Sequence, residues 1–230
     1  MKTTLRHCIM LCSNHTCGLR FPIREEHGRG HRCPMCGAPV QRVSGPYEEH
    51  KSPKFSPDDA PPRVLVLLDN IRSVFNVGSI FRTADGAGVE HLSLCGITAT
   101  PDNPRLKKTA LGAHESVPWS FHRNAFTTAQ QMKSSGISLW ALEGGPASVP
   151  ISHACRDLDG NAICLVVGNE ICGVDPGILS MCEKIIGIPM GGIKTSLNTA
   201  VAFGIAVYTL RFQYERQVRS TPRIDGQVIR

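Results

Sequence analysis

Nowhere in this 230-residue chain is there an apolar run of 18 residues, so no transmembrane helix is expected and a membrane is not an expected partner. The opening residues, MKTTLRHCIMLC, are too few and too broken by polar side chains to form the apolar core of a signal peptide. The expected compartment is therefore the cytoplasm. No internal repeat is visible, and the length suits one or two ordinary domains with a sizeable core. An ordinary dinucleotide fingerprint is also missing. Gly86-Ala87-Gly88 has His91 where the third glycine should stand, and a strand-like run follows it where a helix is required.

Cysteine, by contrast, is plentiful. Ten cysteines in a cytoplasmic chain point to metal or buried thiols rather than disulfides. Cys12-x4-Cys17-Gly18 is followed after fifteen residues by Cys33-Pro34-Met35-Cys36-Gly37. Two cysteine pairs, each closed by glycine, have the spacing of a tetrahedral Zn²⁺ site with Cys12, Cys17, Cys33 and Cys36 as ligands. Cys8 is the first substitute for one of the four, and His15 and His31 are spare candidates. Some forty residues cannot build a core of their own, so a structural metal would supply the missing stability. The segment also carries Arg20, Arg24, Arg29, Arg32 and Arg42, a basic surface. For the whole chain the formal charge is +6 and the pI ≈ 8.9, which permit a nucleic-acid partner.

Residues 43–62 hold Pro46, Pro53, Pro57, Pro61 and Pro62 among charged side chains with no apolar period, the composition of a linker. The expected organisation is a zinc-ribbon-like module over 1–42, this linker, a main domain over 63–215 and a basic tail over 216–230 containing Arg216, Arg219, Arg223 and Arg230. From residue 63 onward short apolar runs (64–68, 91–95, 117–121, 138–142, 162–167 and 184–188) alternate with helical patterns (74–87, 125–135, 176–181 and 196–213). That is an α/β domain with a mostly parallel sheet covered on both faces. In the first helix Val77, Ile80, Phe81, Ala84 and Ala87 form one apolar stripe and Arg82 lies on the opposite side.

Three stretches carry chemistry. In 185–208, a strand stops at Pro189 and a glycine turn follows at Gly191 and Gly192. Next comes a polar helix start, with Thr195 or Ser196 as N-cap and Asn198 close by, and then a helix apolar nearly all round. Such a helix must be covered by a core or by a second subunit. In 165–174, a buried strand empties into Gly168-Asn169-Glu170-x-x-Gly173, placing a carboxylate just past a strand's C-terminal end, where ligands bind in open α/β sheets. In 69–86 the pattern is Asn76-x-Gly78-x-x-x-Arg82-Thr83-Ala84-Asp85-Gly86.

Taken together in this order, the three motifs resemble the SPOUT superfamily of methyltransferases, and within it the SpoU class of tRNA/rRNA ribose 2′-O-methyltransferases. The likeness covers 63–213; Asn198-Thr199-Ala200 stands where many members have Asn-Val-Ser, and the zinc module lies outside it. The resemblance implies a C-terminal trefoil knot, a homodimer, and S-adenosylmethionine held among the knot loops. It implies cofactor contacts at Gly168, Ile188 and Leu197, with Leu142, Gly144, Met190 and Gly192 as neighbours. It marks Arg82 as the catalytic arginine, acting as a phosphate clamp or as a base assisted by that phosphate. Asn76 and Glu170 are then expected to shape the site and orient Arg82, and Ser196 and Asn198 to order the knot turn or touch substrate. RNA would be gripped through phosphates by Arg72 and by a basic loop of Arg105, Lys107 and Lys108, with His114 nearby. A base-methylating enzyme of the same superfamily and a non-catalytic RNA-binding protein with the same fold stay open as alternatives.

Overall fold

The computed structural model describes residues 6–24, 32–48, 62–158, 161–220, 223–224 and 227–228. The chain divides into two compact units, residues 1–56 and 57–230. Most of the proline-rich stretch, the ends of the basic tail, and Arg29 and His31 lie outside the described residues.

The first unit is a small antiparallel sheet: β1 (Arg6–Cys12) pairs with β2 (Arg20–Arg24), β3 (Val40–Arg42) and β4 (Tyr47–Glu48). Along β1, burial alternates as a strand requires. Cys8, Met10 and Cys12 are buried, while His7, Ile9 and Leu11 on the opposite face are half-buried. β4 lies beyond the expected module boundary at residue 42. Pro46 was read as part of a linker, but the two residues after it add an edge strand beside Arg6 and His7, where a proline needs no ladder bond.

The second unit begins with β5 (Val64–Asp69), α1 (Val74–Ala87), β6 (His91–Cys95), α2 (Pro104–Ala110), α3 (Ala113–Ser116) and β7 (Trp119–His122). It continues with α4 (Ala125–Ser134), β8 (Ser138–Leu142), β9 (Val149–Pro150), α5 (Ile151–Ala154) and β10 (Ile163–Val167). Then come α6 (Pro176–Leu179), β11 (Lys184–Gly187) and α7 (Thr199–Ser220). Two further short strands, β12 (Arg223–Ile224) and β13 (Gln227–Val228), pair as a hairpin. β5–β11 form one sheet in the order β7-β6-β5-β10-β8-β11-β9, and every neighbouring pair is parallel. All five residues of β10 are buried, as expected for a central strand covered on both faces. On one face Val66, Leu68, Leu165 and Val167 pack with Phe81 of α1 and Phe203 of α7; on the other Leu67, Leu139, Cys164 and Val166 pack with Ala129 of α4 and Ile178 of α6.

Two local readings are revised. Arg105, Lys107 and Lys108 belong to a helix, not a loop: Asn103 caps it by accepting from Arg105 N, and Pro104 occupies the first helical position, where it needs no N–H partner. The last helix starts at Thr199, because Asn198, not Thr195 or Ser196, is the cap. Its Oδ1 accepts from Ala200 N at 2.9 Å and Val201 N at 3.3 Å. That helix is also not covered all round. Phe203, Ala206, Val207 and Leu210 are fully buried, whereas Val201, Ile205 and Tyr208 stay 51%, 40% and 43% exposed.

One crossing sets the topology. Ile186 of β11 pairs with Leu142 on one side and with Val149 on the other, so the connection 143–148 must pass across β11. Gly187 lies at that crossing, where a Cβ would stand 2.6 Å from Ser148 Oγ. Since β11 comes later in the chain, it sits beneath a bridge already laid down by earlier residues. This is the crossing that the expected trefoil knot requires, against the general rule for connections. α7 then returns to pack on the sheet through its buried stripe. Phe203→Ala should therefore lower unfolding stability by about 3–5 kcal/mol in denaturant titrations. Val201→Ala, on the exposed side, should change it by less than about 0.5 kcal/mol.

Candidate functional site

The C-terminal ends of β8, β10 and β11 each run into a loop, and the three loops enclose a cleft of about 480 Å³. Leu142, Gly144, Gly168, Ile188, Met190 and Leu197, all expected at the cofactor, line it together with Ser196. Gly192, also expected near the cofactor, is exposed on the arm 189–198 and lines neither cleft. The loop after β10 is closed by reciprocal bonds between Asn169 and Gly173, N to O at 3.0 and 2.9 Å. Only glycine fits at 168, since a Cβ there would lie 2.3 Å from backbone atoms of Gly173 and Val174. Glu143 braces the same loop by accepting from Val174 N at 2.9 Å. Sequence reasoning passed over Glu143, although it stands just past the end of β8 as Glu170 stands past β10.

A second cleft adjoins the first, with Glu170, Leu197 and Thr199 in both walls. Arg72, Ser73, Asn76 and Asn198 complete it. The Glu170 carboxylate accepts from Arg72 N at 2.8 Å, Ser73 N at 3.0 Å and Asn76 Nδ2 at 2.9 Å. Asn76 Oδ1 in turn accepts from Asn198 Nδ2 at 3.0 Å. Partial burial acts to raise the Glu170 pKa, but the two backbone donors and the Asn76 amide outweigh it and hold the carboxyl below its ordinary value. Glu170 is thus an ionised brace across which the N-terminus of α1 is fixed. Asn70, in the left-handed region at φ 57°, supports the same corner; its carbonyl accepts from Asn169 Nδ2 at 2.7 Å.

Arg82 is not brought to this network. It is exposed on α1, makes no hydrogen bond or ion pair among the described residues, and lines neither cleft. Asn76 and Glu170, expected to orient it, bond instead to Arg72, Ser73 and Asn198 and to each other. Six residues of helix turn Arg82 about 120° away from Asn76 and carry it about 9 Å along the axis. The next residue, Thr83, faces α7 at Gly204, and Arg82 lies about 100° round the helix from it. Arg105, Lys107 and Lys108 are exposed on α2 and line neither cleft, whereas Arg72 lines the second.

In the first unit, Cys12, Cys17, Cys33 and Cys36 gather with all four sulfurs within 4.8 Å of one another. The Cys12–Cys36 and Cys17–Cys33 sulfur separations, 3.5 and 3.8 Å, match the edge of about 3.8 Å in a tetrahedron with Zn–S bonds of about 2.3 Å. Each glycine-closed turn returns its N–H to a carbonyl four residues back, Gly18 to Asn14 and Gly37 to Cys33. Burial works to raise the Cys33 pKa, yet the Cys36 and Met35 N–H groups draw it down to about 7. Cys8 lies one strand length away from the cluster and is not among its members.

Replacing Glu170 tests the brace. Because its folded pKa is depressed, its stabilising effect is fully present above the ordinary value of 4.5 and is lost as pH falls through the lower folded value. Glu170→Gln should lower thermal stability at pH 7 and flatten the acid limb of the stability profile below about pH 5. An unchanged acid limb would show that other carboxylates carry it.

Residues 63–208 match the family model described as the SpoU rRNA Methylase family. The 23S rRNA (guanosine(2553)-2'-O)-methyltransferase RlmP of Bacillus subtilis is 32% identical over 151 residues, covering 65% of this chain and 58% of that protein. The 23S rRNA (guanosine-2'-O-)-methyltransferase RlmB of Pseudomonas syringae pv. tomato is 30% identical over 148 residues, covering 64% and 57%. This chain therefore spans under two thirds of the length of these relatives. Among solved structures, an AdoMet-bound rRNA methyltransferase from Sinorhizobium meliloti superposes with a TM-score of 0.60 at 27% identity, covering 73% of this chain and 63% of that one. A TrmH/SpoU tRNA modifying enzyme from A. aeolicus gives 0.59 at 30% identity, covering 69% and 80%. With a matching model over most of its length and a site built from the same three motifs, the chain belongs to the SpoU rRNA methylase family.

Proposed function

We propose that the protein is an S-adenosylmethionine-dependent RNA methyltransferase that transfers a methyl group to a ribose 2′-hydroxyl of tRNA or rRNA. The observation that carries this reading is the pair of adjoining clefts sharing Glu170, Leu197 and Thr199. The first is lined by backbone and neutral side chains of three strand-end loops and suits the cofactor, with Leu142, Gly144, Gly168, Ile188, Met190 and Leu197 in contact. The second is polar, with Arg72, Asn76 and Asn198 around it, and suits a ribose and its phosphate. Bound in the first cleft, S-adenosylmethionine supplies a methyl group on a sulfonium. The chain's own residues orient the acceptor and keep water out, because charge is lost as the transition state forms.

Arg82 is the group best able to grip the acceptor phosphate. A guanidinium stays protonated in proteins, which favours the clamp over the base role. Since Arg82 lies outside the clefts of its own chain, and α7 leaves Val201, Ile205 and Tyr208 exposed, we assign it to the site of a second copy in a homodimer. The four-cysteine cluster is assigned to a structural Zn²⁺, and Arg105, Lys107 and Lys108 of α2 to RNA phosphates. Among the described residues no helix is long and apolar enough to cross a membrane, and a cytoplasmic location completes the reading.

Transfer of labelled methyl from S-adenosylmethionine to tRNA or rRNA, with the product mapped as 2′-O-methylribose, tests the activity. Arg82→Ala should reduce turnover by about a hundredfold or more while cofactor affinity is kept. Mixing inactive Arg82→Ala with an inactive Gly168→Ala chain should restore about a quarter of wild-type activity, because mixed dimers then hold one intact site. No restoration would place Arg82 in its own chain's site. For the metal, one zinc per chain is expected, and stripping it with a chelator should unfold 1–48 and leave the second unit's thermal transition in place.

A further inference from the structure

The ribbon carries a face that its metal cluster does not use. Strand alternation puts Cys8, Met10 and Cys12 inside and leaves His7, Ile9 and Leu11 half-buried on the other side of β1. The strand register then names their neighbours on that face: Arg20 beside Leu11, Pro22 beside Ile9 and Arg24 beside His7, with Tyr47 on the opposite flank of His7. Arg20, Pro22, Arg24 and Tyr47 are exposed, and neither arginine has a hydrogen bond or ion pair among the described residues. His7 and Tyr47 hold their rings 5.8 Å apart and 30° from parallel, so an aromatic surface stands beside the two guanidinium groups. Four residues of strand separate Arg20 from Arg24 by about 13 Å.

We propose that this face binds unpaired RNA, with Arg20 and Arg24 on successive parts of the phosphate backbone and the His7–Tyr47 pair stacking a base. The inference rests on the RNA substrate proposed above and adds a second contact outside the methyl-transfer clefts. Charge complementarity selects the occupant: residues 1–56 hold nine lysines and arginines against four glutamates. Exposed rings beside cations are what splayed-out bases require, whereas the paired bases of a duplex offer the His7–Tyr47 rings no free face to stack on. An acidic protein segment would use the arginines and gain nothing from the stacked rings.

The test uses the full, zinc-loaded chain with a short unpaired oligoribonucleotide and a duplex of the same length, titrated at several salt concentrations. The double variant Arg20→Gln with Arg24→Gln should lower the slope of log affinity against log salt by about 1.4, at about 0.7 per single-strand phosphate contact. Tyr47→Leu should weaken unpaired RNA about tenfold at every salt concentration, Tyr47→Phe should retain wild-type affinity, and duplex binding should be indifferent to both. Zinc content read alongside shows that the ribbon is intact; should the glutamine pair lose zinc, the Tyr47→Leu and Tyr47→Phe comparison decides. Equal affinities and slopes in wild type and variants overturn the proposal. So does a Tyr47 effect of the same size on duplex, or an acidic peptide that competes unpaired RNA off the face with no dependence on Tyr47. Methyl transfer that persists beside unchanged ribbon affinities would sink this inference alone, and ribbon effects without any methyl transfer would sink the enzyme reading alone.

Discussion

One carboxylate holds the site of this protein in register. Glu170 receives the backbone N–H groups of Arg72 and Ser73, just before α1, and the Asn76 amide from its first turn, 94 to 98 positions earlier in the chain. The N-terminus of a helix favours a negative charge, so the arrangement is stable only with Glu170 ionised. That one interaction has a sequel. Asn76 spends its amide N–H on Glu170, which leaves its Oδ1 as an acceptor, and Asn198 Nδ2 fills it. Asn198 then uses its own Oδ1 to cap α7. A strand end, the start of α1 and the start of α7 are thereby locked by three side chains, with both carboxylate oxygens of Glu170 engaged by that bracing.

Much of this was legible in the sequence, and the gaps have physical causes. The strands at 64–68, 91–95 and 138–142 and the helix at 74–87 are found within a residue of their expected bounds, because each has the unbroken period or apolar run of a buried element. Arg105, Lys107 and Lys108 are expected in a loop, yet a proline preceded by asparagine can open a helix, as Pro104 does in α2. Ser196 and Asn198 are both good caps, and composition could not choose between them. Only the geometry of the 189–198 arm does. β9 has two residues and no period at all; it exists because the 143–148 bridge delivers it beside β11. Strand order is the least legible property, since nothing local in β10 or β11 says that each inserts between strands laid down earlier.

The candidate site shows the same division. Residues that act through backbone or through contacts within one chain, such as Gly168 and Asn76, fall where their motifs put them. Glu143 was missed because its signal, a carboxylate past a strand end, is shared with many solvated turns. Arg82 sits apart from the residues expected to orient it: it is exposed on α1 and lines neither cleft. A helical wheel gives the side of α1 on which it lies, and no reading of one sequence can say that this side points away from the clefts of the same chain.

That last mismatch is where fold, association and chemistry meet. A cleft built on glycine-closed loops needs the crossing at Gly187, since the bridge over β11 and the loop beyond β10 make two of its walls. The same crossing sends the chain out along the exposed arm 189–198 and back through α7, whose buried stripe is spent on the sheet. What α7 has left over, Val201, Ile205 and Tyr208, is an apolar strip about two turns long that water covers poorly. Its Tyr208 end reaches α1 at Gly86, one turn beyond Arg82. In the proposed dimer, burying that strip and carrying a guanidinium to a second chain's acceptor cleft are one event. The hydrophobic contact would then supply the free energy for placing an otherwise unpaired cation, and a lone chain would own a complete cofactor cleft without the group that grips its acceptor.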